Sequence, residues 1–233
     1  AFKGKIRAEE WLEGHRTAHE IGLNSNVTML YGHVESRAER LRHFEVIRRQ
    51  QDRTLAEWAA ECAVPVRAPT EGSADETHPA VVLTGPAAMY PSRRLPDRDG
   101  DRPKRGYFQT IIPLPFFPDA SALESLPAPT GLENLRTLAI ARLMLDNLPH
   151  VKAFWIMQTL GMAQLMLQSG ADDIDGTVVW YDITKAVGDG THQETTVRDL
   201  RRAIREAGFV PVERDTIYRE VERDGAEWRV PGA

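Results

Sequence analysis

Polar and apolar positions along the chain fall into two alternating periods. Arg7 to Gly22 carries Trp11, Leu12, Ala18 and Ile21 at helical spacing, with Gly22 where a helix would end. Asn26 to Tyr31 predicts a strand. Ser36 with Glu39 three residues on forms a capping-box signature, and Ala38, Leu41, Phe44 and Ile47 continue the helix to about Gln51. From about Leu55 to Gly106 the periodicity dissolves into prolines, glycines and the charge run from Arg98 to Arg105. Such a stretch buries too little apolar surface to offset its ordering entropy, so it reads as a disordered insertion in which Ala80 to Leu83 is a candidate short strand.

Pattern returns at Gln109. Thr110 to Leu114 predicts a buried strand, and Thr130 with Glu133 caps a helix from Leu135 to Leu148 whose apolar positions run nearly all round. Val151 to Met157 predicts an apolar strand, Gly161 to Gln168 a helix closed by Gly170, and Ile174 to Trp180 another strand. In the last helix, Thr196 to Ala207, a stripe of Val197, Leu200, Ile204 and Ala207 opposes Arg198, Asp199, Arg201, Arg202 and Arg205, and Gly208 stops it. Val210 to Val221 reads as an extended tail on the outside. Apolar strands separated by helices indicate an α/β fold with a parallel sheet built from four βα units. The expected organisation is a βα unit over 1–54, the insertion over 55–106, and the remaining units, helix and tail over 107–233.

Composition narrows this picture. A closed eight-unit β/α barrel takes about 250 residues, so 233 residues with some fifty spent on an insertion fall short of one. A formal net charge of -5 disfavours a nucleic-acid partner. Cys62 is the one cysteine, which excludes an internal disulfide and any cluster ligated by cysteines of this chain alone. Without a basic segment followed by an apolar one near residue 1, the reading is cytoplasmic. The uncharged run from Ala153 to Ala171 contains Gln158, Thr159, Gln164 and Gln168 and reads as strand plus helix, not a membrane span.

In parallel α/β folds, sites form where loops converge at the carboxyl ends of strands. That places Tyr31, Gly32, His33, Glu35, Phe116, Phe117, Met157, Gln158, Trp180, Tyr181 and Asp182 among the candidates. His33 with Glu35 suits acid–base work, and equally a local hydrogen bond beside a helix start that favours a carboxylate. His15 and His19 have zinc-like spacing, but Arg16 stands where the zincin motif needs Glu, so a packed helix face is favoured. Asp172, Asp173 and Asp175 lack a calcium-loop pattern and read as a helix-to-strand turn, with one Asp reaching a barrel mouth.

Specific strings add a resemblance. HRTAHEIGLNSNVTMLYGHVES (15–36), LPAPTGLENLRTLAIARLMLDNLPHVKAFWIM (126–157), GADDIDGTVV (170–179) and EAGFVPVERDT (206–216) together resemble the C-terminal part of the aminofutalosine synthase family. These are radical S-adenosylmethionine enzymes of the futalosine route to menaquinone. The resemblance implies the second half of a radical-SAM β/α barrel. Thr28 to Glu35 then corresponds to the GxIxGxxE strand bordering the adenine of S-adenosylmethionine: Leu30, Gly32 and Glu35 match, and Thr28 replaces the first glycine. It also implies S-adenosylmethionine and a [4Fe–4S] cluster as cofactors, with a 5′-deoxyadenosyl radical adding to a carboxyvinyloxy-benzoate. Tyr31, Phe117, Gln158, Asp175, Trp180 and Tyr181 become substrate-binding candidates.

The cluster's CxxxCxxC loop is not among these residues, Phe117 stands at the family's usual histidine, and Trp180 and Tyr181 replace its acidic pair. Two functions follow: half of a synthase completed by a partner chain or by self-association, or a non-catalytic paralogue that binds a ligand or a partner.

Overall fold

The protein is described here as a computed structural model covering residues 4–62, 105–177 and 195–231. Most of the expected insertion, the Ala80 to Leu83 strand, Trp180, Tyr181 and Asp182 lie outside the described residues. Chain order begins with α1 (Ala8–Glu20), β1 (Ser25–Tyr31), α2 (Arg37–Cys62), β2 (Phe108–Pro115), α3 (Gly131–Met144) and β3 (His150–Ala153). It continues with α4 (Trp155–Gln158), α5 (Leu160–Gln168), β4 (Asp173–Ile174), α6 (Val197–Glu206), β5 (Glu222–Asp224) and β6 (Glu227–Arg229).

Local chemistry sets the helix ends. The Ser36 hydroxyl accepts from the Glu39 N–H at 3.2 Å while the Glu39 carboxylate accepts from the Ser36 N–H at 2.7 Å, closing the predicted capping box. Thr130 and Thr196 cap α3 and α6 through the N–H groups of Glu133 and Asp199. Beyond α1 and α6, Gly22 and Gly208 adopt φ values of +87° and +89°.

Four strands form one parallel sheet in the order β1-β2-β3-β4, which establishes a mixed α/β fold. Val27, Met29 and Tyr31 point from β1 into a core with Phe44 and Ile47 of α2 and Leu138 and Ala141 of α3. Thr28 and Leu30 alternate onto the other face, where Leu30 is 43% exposed. In register beside them stand Ile112 and Leu114 of β2. The helices thus cover one face of the sheet and leave part of the other open.

Two elements depart from expectation. Helix α2 runs to Cys62, past the expected insertion boundary at residue 55. Its buried positions Gln50, Gln51 and Thr54 are polar, so the apolar stripe is interrupted until the buried Trp58 while the helix runs on. Gln51 explains this: its amide donates to the Phe108 and Asn147 carbonyls at 3.0 and 3.3 Å and accepts from the Phe108 N–H at 3.0 Å. Trp58 stacks on Tyr107, and Arg105 pairs with Glu57 at 3.0 Å, tying the two described flanks together.

The predicted strand through Met157 ends at Ala153 and turns into α4, because an apolar run by itself does not distinguish a strand from a buried helical turn. The uncharged stretch from Ala153 to Ala171 is therefore divided among a strand end and two short helices, and among the described residues no helix is long and apolar enough to cross a membrane.

The C-terminal segment packs on the outside, as expected, with Val210 and Val212 largely exposed, and it is held there by specific contacts. The carbonyl of Thr216 accepts from the Gln109 amide at 2.9 Å, Tyr218 stacks on His150 with centroids 3.8 Å apart, and the Arg214 guanidinium grips Asp173. Asp173 is 8% exposed, and burying its charge requires a cation that the tail supplies. Beyond this contact the chain closes with the antiparallel β5-β6 hairpin.

Two predictions follow from this packing. Replacing Gln51 with Leu strands the main-chain groups of Phe108 and should cost roughly 2 kcal/mol or more in urea unfolding. His19 is 1% exposed, and burial, reinforced by neighbouring His15, pushes its imidazole down to about 4. Between that value and the unfolded 6.5 the unfolded chain binds the proton and the folded one does not, so stability is full above about pH 6.5 and falls towards pH 4. Urea titrations across this window, with NMR of the imidazole, should show both.

Candidate functional site

At the carboxyl end of β1 the chain turns sharply at Gly32, whose φ is +88°. A Cβ there would sit 2.7 Å from the Pro129 side chain, so both backbone conformation and the approach of the loop before α3 require glycine. Glu35 folds back over this turn. One carboxylate oxygen accepts from the Gly32 N–H at 2.6 Å and from Arg40 Nε at 2.6 Å, and the other accepts from the His33 N–H at 3.0 Å. Burial raises its proton affinity, but these donors outweigh burial and hold the carboxyl below its ordinary range.

Arg40 extends the network. Its Nη1 donates to Glu133 at 2.6 Å and to Thr137 at 3.1 Å, and Arg37 and Arg136 also pair with Glu133. The β1 turn is thereby fastened to the start of α3 by charges that are mostly buried. Sequence spacing marks Glu133 only as a helix cap and gives no sign of Arg40, whose partners lie in separate elements.

These contacts give Glu35 a holding role in the turn. His33 lies beside it: Nδ1 accepts from the Val34 N–H at 2.7 Å, and the ring meets Phe116 edge-on with centroids 5.9 Å apart. Tyr31 is corrected from a mouth residue to a core one. It is fully buried, donates to Asn134 Oδ1 at 2.8 Å and sits under Arg40, because its strand position faces the helices. Thr28 and Leu30 face the opposite way, and the Thr28 main chain is hydrogen-bonded by His43. Phe117 follows Phe116 at the end of β2 and is half-buried.

The second half of the candidate site surrounds the ends of β3 and β4. Lys152 projects from β3 away from the helices, with Nζ 3.1 Å from Asp175 and 3.5 Å from Asp173. Arg214 holds Asp173 through three contacts of 2.7–3.0 Å, and the Tyr218 hydroxyl donates to it at 2.8 Å. Burial pushes the Asp175 carboxyl above its ordinary range, against the opposing pull of the Lys152 ammonium. Asp172 accepts from the Val151 N–H at 2.8 Å and from Arg142 at 2.5 Å, pinning α3 to the sheet. The three aspartates therefore divide into two structural anchors and one, Asp175, at the carboxyl end.

Helix α4 joins this end. The Trp155 indole donates to the carbonyls of Asp175 and Gly176 at 3.0 and 3.2 Å. Gln158 is 7% exposed and, among the described residues, neither end of its amide has a hydrogen-bond partner. Thr159 follows with φ 73° and ψ 155°, a region almost reserved for glycine, so backbone strain adjoins an unsatisfied buried amide. His15 and His19 lie elsewhere, both against Ser25 Oγ at 2.9 and 2.8 Å, and among the described residues no group of three His, Cys, Asp or Glu side chains could hold a metal ion.

Comparison with known proteins identifies the family. The family described as CofH/MqnC C-terminal region matches residues 105–225. An aminodeoxyfutalosine synthase from Thermus thermophilus is 39% identical over 223 residues, covering 94% of this chain and 46% of that protein. The Streptomyces coelicolor aminodeoxyfutalosine synthase is 37% identical over 211 residues, 90% of this chain and 44% of its own length. A 5-amino-6-(D-ribitylamino)uracil--L-tyrosine 4-hydroxyphenyl transferase from Methanothermobacter thermautotrophicus is 29% identical over 223 residues, with 94% and 47% coverage. The chain spans about half the length of the curated relatives it matches.

The Gly32 turn gives a direct test. Gly32→Ala should lower the unfolding free energy by about 2 kcal/mol, combining a left-handed backbone penalty with the clash against Pro129. Denaturant unfolding measures it.

Proposed function

The chain belongs to the CofH/MqnC family, and on that premise we propose that it forms the second half of a radical-SAM β/α barrel acting as an aminodeoxyfutalosine synthase in menaquinone biosynthesis. The observation that carries the reading is the parallel β1-β2-β3-β4 sheet with helices on one face, joined to the identity with two synthases. A parallel sheet is ordinarily covered on both faces. Here Thr28 and Leu30 are left exposed, as expected of a wall that a second half would close. In this proposal residues 1–54 and 107–233 build the wall, a partner chain or second copy completes it, and the setting is cytoplasmic.

The residues fit S-adenosylmethionine in one respect and fail to fit the cluster in another. Thr28, Leu30, Gly32 and Glu35 would border the adenine, and the tight Gly32 turn held by Glu35 keeps that strand end fixed. The adenosyl group added to the enol ether of a carboxyvinyloxy-benzoate would come from S-adenosylmethionine. A [4Fe–4S] cluster needs three thiolates, whereas Cys62 is the one cysteine in these 233 residues, so no electron-transfer step is assigned to this chain.

What the chain contributes is positioning. His33 and Phe117 would line the mouth near β1 and β2, and Gln158 and Asp175 the mouth near β3 and β4, with Trp180 and Tyr181 assigned to substrate by the resemblance alone. Glu35 keeps its oxygens on the turn and acts by holding His33 in place.

The test is anaerobic reconstitution with a polypeptide carrying the CxxxCxxC half, supplied with S-adenosylmethionine, a reductant and the carboxyvinyloxy-benzoate. Aminodeoxyfutalosine and carbon dioxide are expected from the pair, and neither cluster absorbance nor 5′-deoxyadenosine from this chain by itself. Failure of a cluster-loaded pair to form product would overturn the reading.

A further inference from the structure

Lys152 stands between two carboxylates of the neighbouring strand and its continuation. Its Nζ lies 3.1 Å from Asp175 and 3.5 Å from Asp173. Lys152 and Asp173 are each 8% exposed, so neither charge can turn to water for compensation. Asp175 leans on Lys152, because its Oδ2 has no hydrogen-bond partner among the described residues. Which carboxylate receives Lys152 therefore depends on what else holds Asp173. The C-terminal segment holds it, through three contacts of 2.7–3.0 Å from Arg214 and one of 2.8 Å from the Tyr218 hydroxyl.

The segment is shaped for that grip. The Asp215 carboxylate accepts from the N–H groups of Ile217 and Arg219 at 3.0 and 2.9 Å, closing a tight turn. Within it Tyr218 takes φ +65°, a left-handed conformation uncommon for an aromatic residue, and such a conformation persists where surrounding contacts fix it. The turn lays the Tyr218 ring on His150 with centroids 3.8 Å apart, and the Arg214 guanidinium sits over the ring at 4.1 Å.

We propose that Lys152 is a two-position switch that couples docking of the C-terminal segment, residues 213–221, to the charge of Asp175. With the segment docked, Arg214 and Tyr218 satisfy Asp173 and Lys152 pairs with Asp175. With it lifted, Asp173 loses those partners and draws Lys152, and the Asp175 carboxyl, deprived of its ammonium, binds a proton more readily. The coupling is reciprocal: neutralising Asp175 turns Lys152 towards Asp173, where it competes with Arg214 and loosens the segment. The charged groups facing Asp175 are Lys152 from β3, Asp173 from β4 and Arg214 from the segment, and Asp173 meets the same two cations and Tyr218. A change in the segment is thereby felt at the carboxyl end of β4, where the Trp155 indole fastens the main chain of Asp175 and Gly176 to α4. The switch is built from this chain alone and does not depend on the synthase reading.

The test is NMR on the full chain with labelled lysine and aspartate. It reads the aspartate carboxyl titrations, the hydrogen-bond coupling from the Lys152 ammonium to a carboxylate carbon, and amide exchange over residues 213–221. In the parent that coupling runs to Asp175. In Arg214→Met it should run to Asp173, with the Asp175 midpoint about one pH unit higher or more. Adding Asp173→Asn removes the competing anion, and should return Lys152 and the Asp175 midpoint to their parental state while the segment still exchanges fast. A merely structural role for Arg214 would leave both disturbed. Asp175→Asn should speed exchange over residues 213–221 at least about fivefold. Tyr218→Phe keeps the guanidinium and should move the Asp175 midpoint in the same direction by less; it decides the matter if Arg214→Met does not fold.

Three results would each overturn the switch: Lys152 staying on Asp175 with an unmoved midpoint in the Arg214 and Tyr218 variants, a double variant whose Asp175 midpoint stays raised, or parental exchange over residues 213–221 in Asp175→Asn.

Discussion

A parallel sheet hides both faces from water, since its crossovers lay helices against it and its strands are rich in β-branched and apolar residues. In this chain the helices pack on one face, where Val27, Met29, Tyr31, Ile111 and Val151 meet Phe44, Ile47, Leu138 and Met166. Everything else follows from how the opposite face is handled. Near its amino end the C-terminal segment lies across it through Thr216, Tyr218 and Arg214. Further along, Thr28 and Leu30 of β1 stay exposed. The division assigns a structural task to one end and leaves exposed surface at the other.

The ionic network on the open face obeys the same economy of burial. Asp173 and Lys152 are each about nine-tenths buried, and each is matched by opposite charge within 3.5 Å. Such networks seldom add much stability relative to apolar packing, but removing one member leaves a buried charge uncompensated, which makes the arrangement hard to alter piecemeal. The Glu35–Arg40–Glu133 chain behaves alike at the β1 turn, fixing a loop by charges that face inward. Both networks join segments distant in sequence, and both lie beside strand ends.

Helix starts and the parallel character of the sheet were legible in the linear chain, the first from capping residues close in sequence and the second from apolar strands alternating with helices. Ser36 with Glu39, Thr130 with Glu133 and the stripe of α6 needed no tertiary information. The extent of α2 was hidden because its interior positions are filled by Gln51 and Thr54 rather than apolar residues, and a hydrogen-bonding core position looks like a surface one in a hydropathy pattern. The end of β3 was hidden for the opposite reason: apolar residues continue through a change from strand to helical turn. Of the candidate site, Gly32, His33, Glu35 and Gln158 were named from their positions after strands and Asp175 from its acidic cluster and the family resemblance, whereas Arg40, Lys152 and Arg214 were not named.

The sequence by itself determined the alternation of strands and helices, the family, and the shortage of cysteines that keeps a cluster from being ligated within these residues. Folding in three dimensions placed Tyr31 in the core, took up Glu35 in its own loop, brought the tail across the sheet to neutralise Asp173 and, among the described residues, left atoms of Gln158 and Asp175 unpaired. The physical reason is that periodicity and capping are local and recorded in spacing. Burial of a charge and the satisfaction of a hydrogen bond depend on what the rest of the chain brings within about 3 Å.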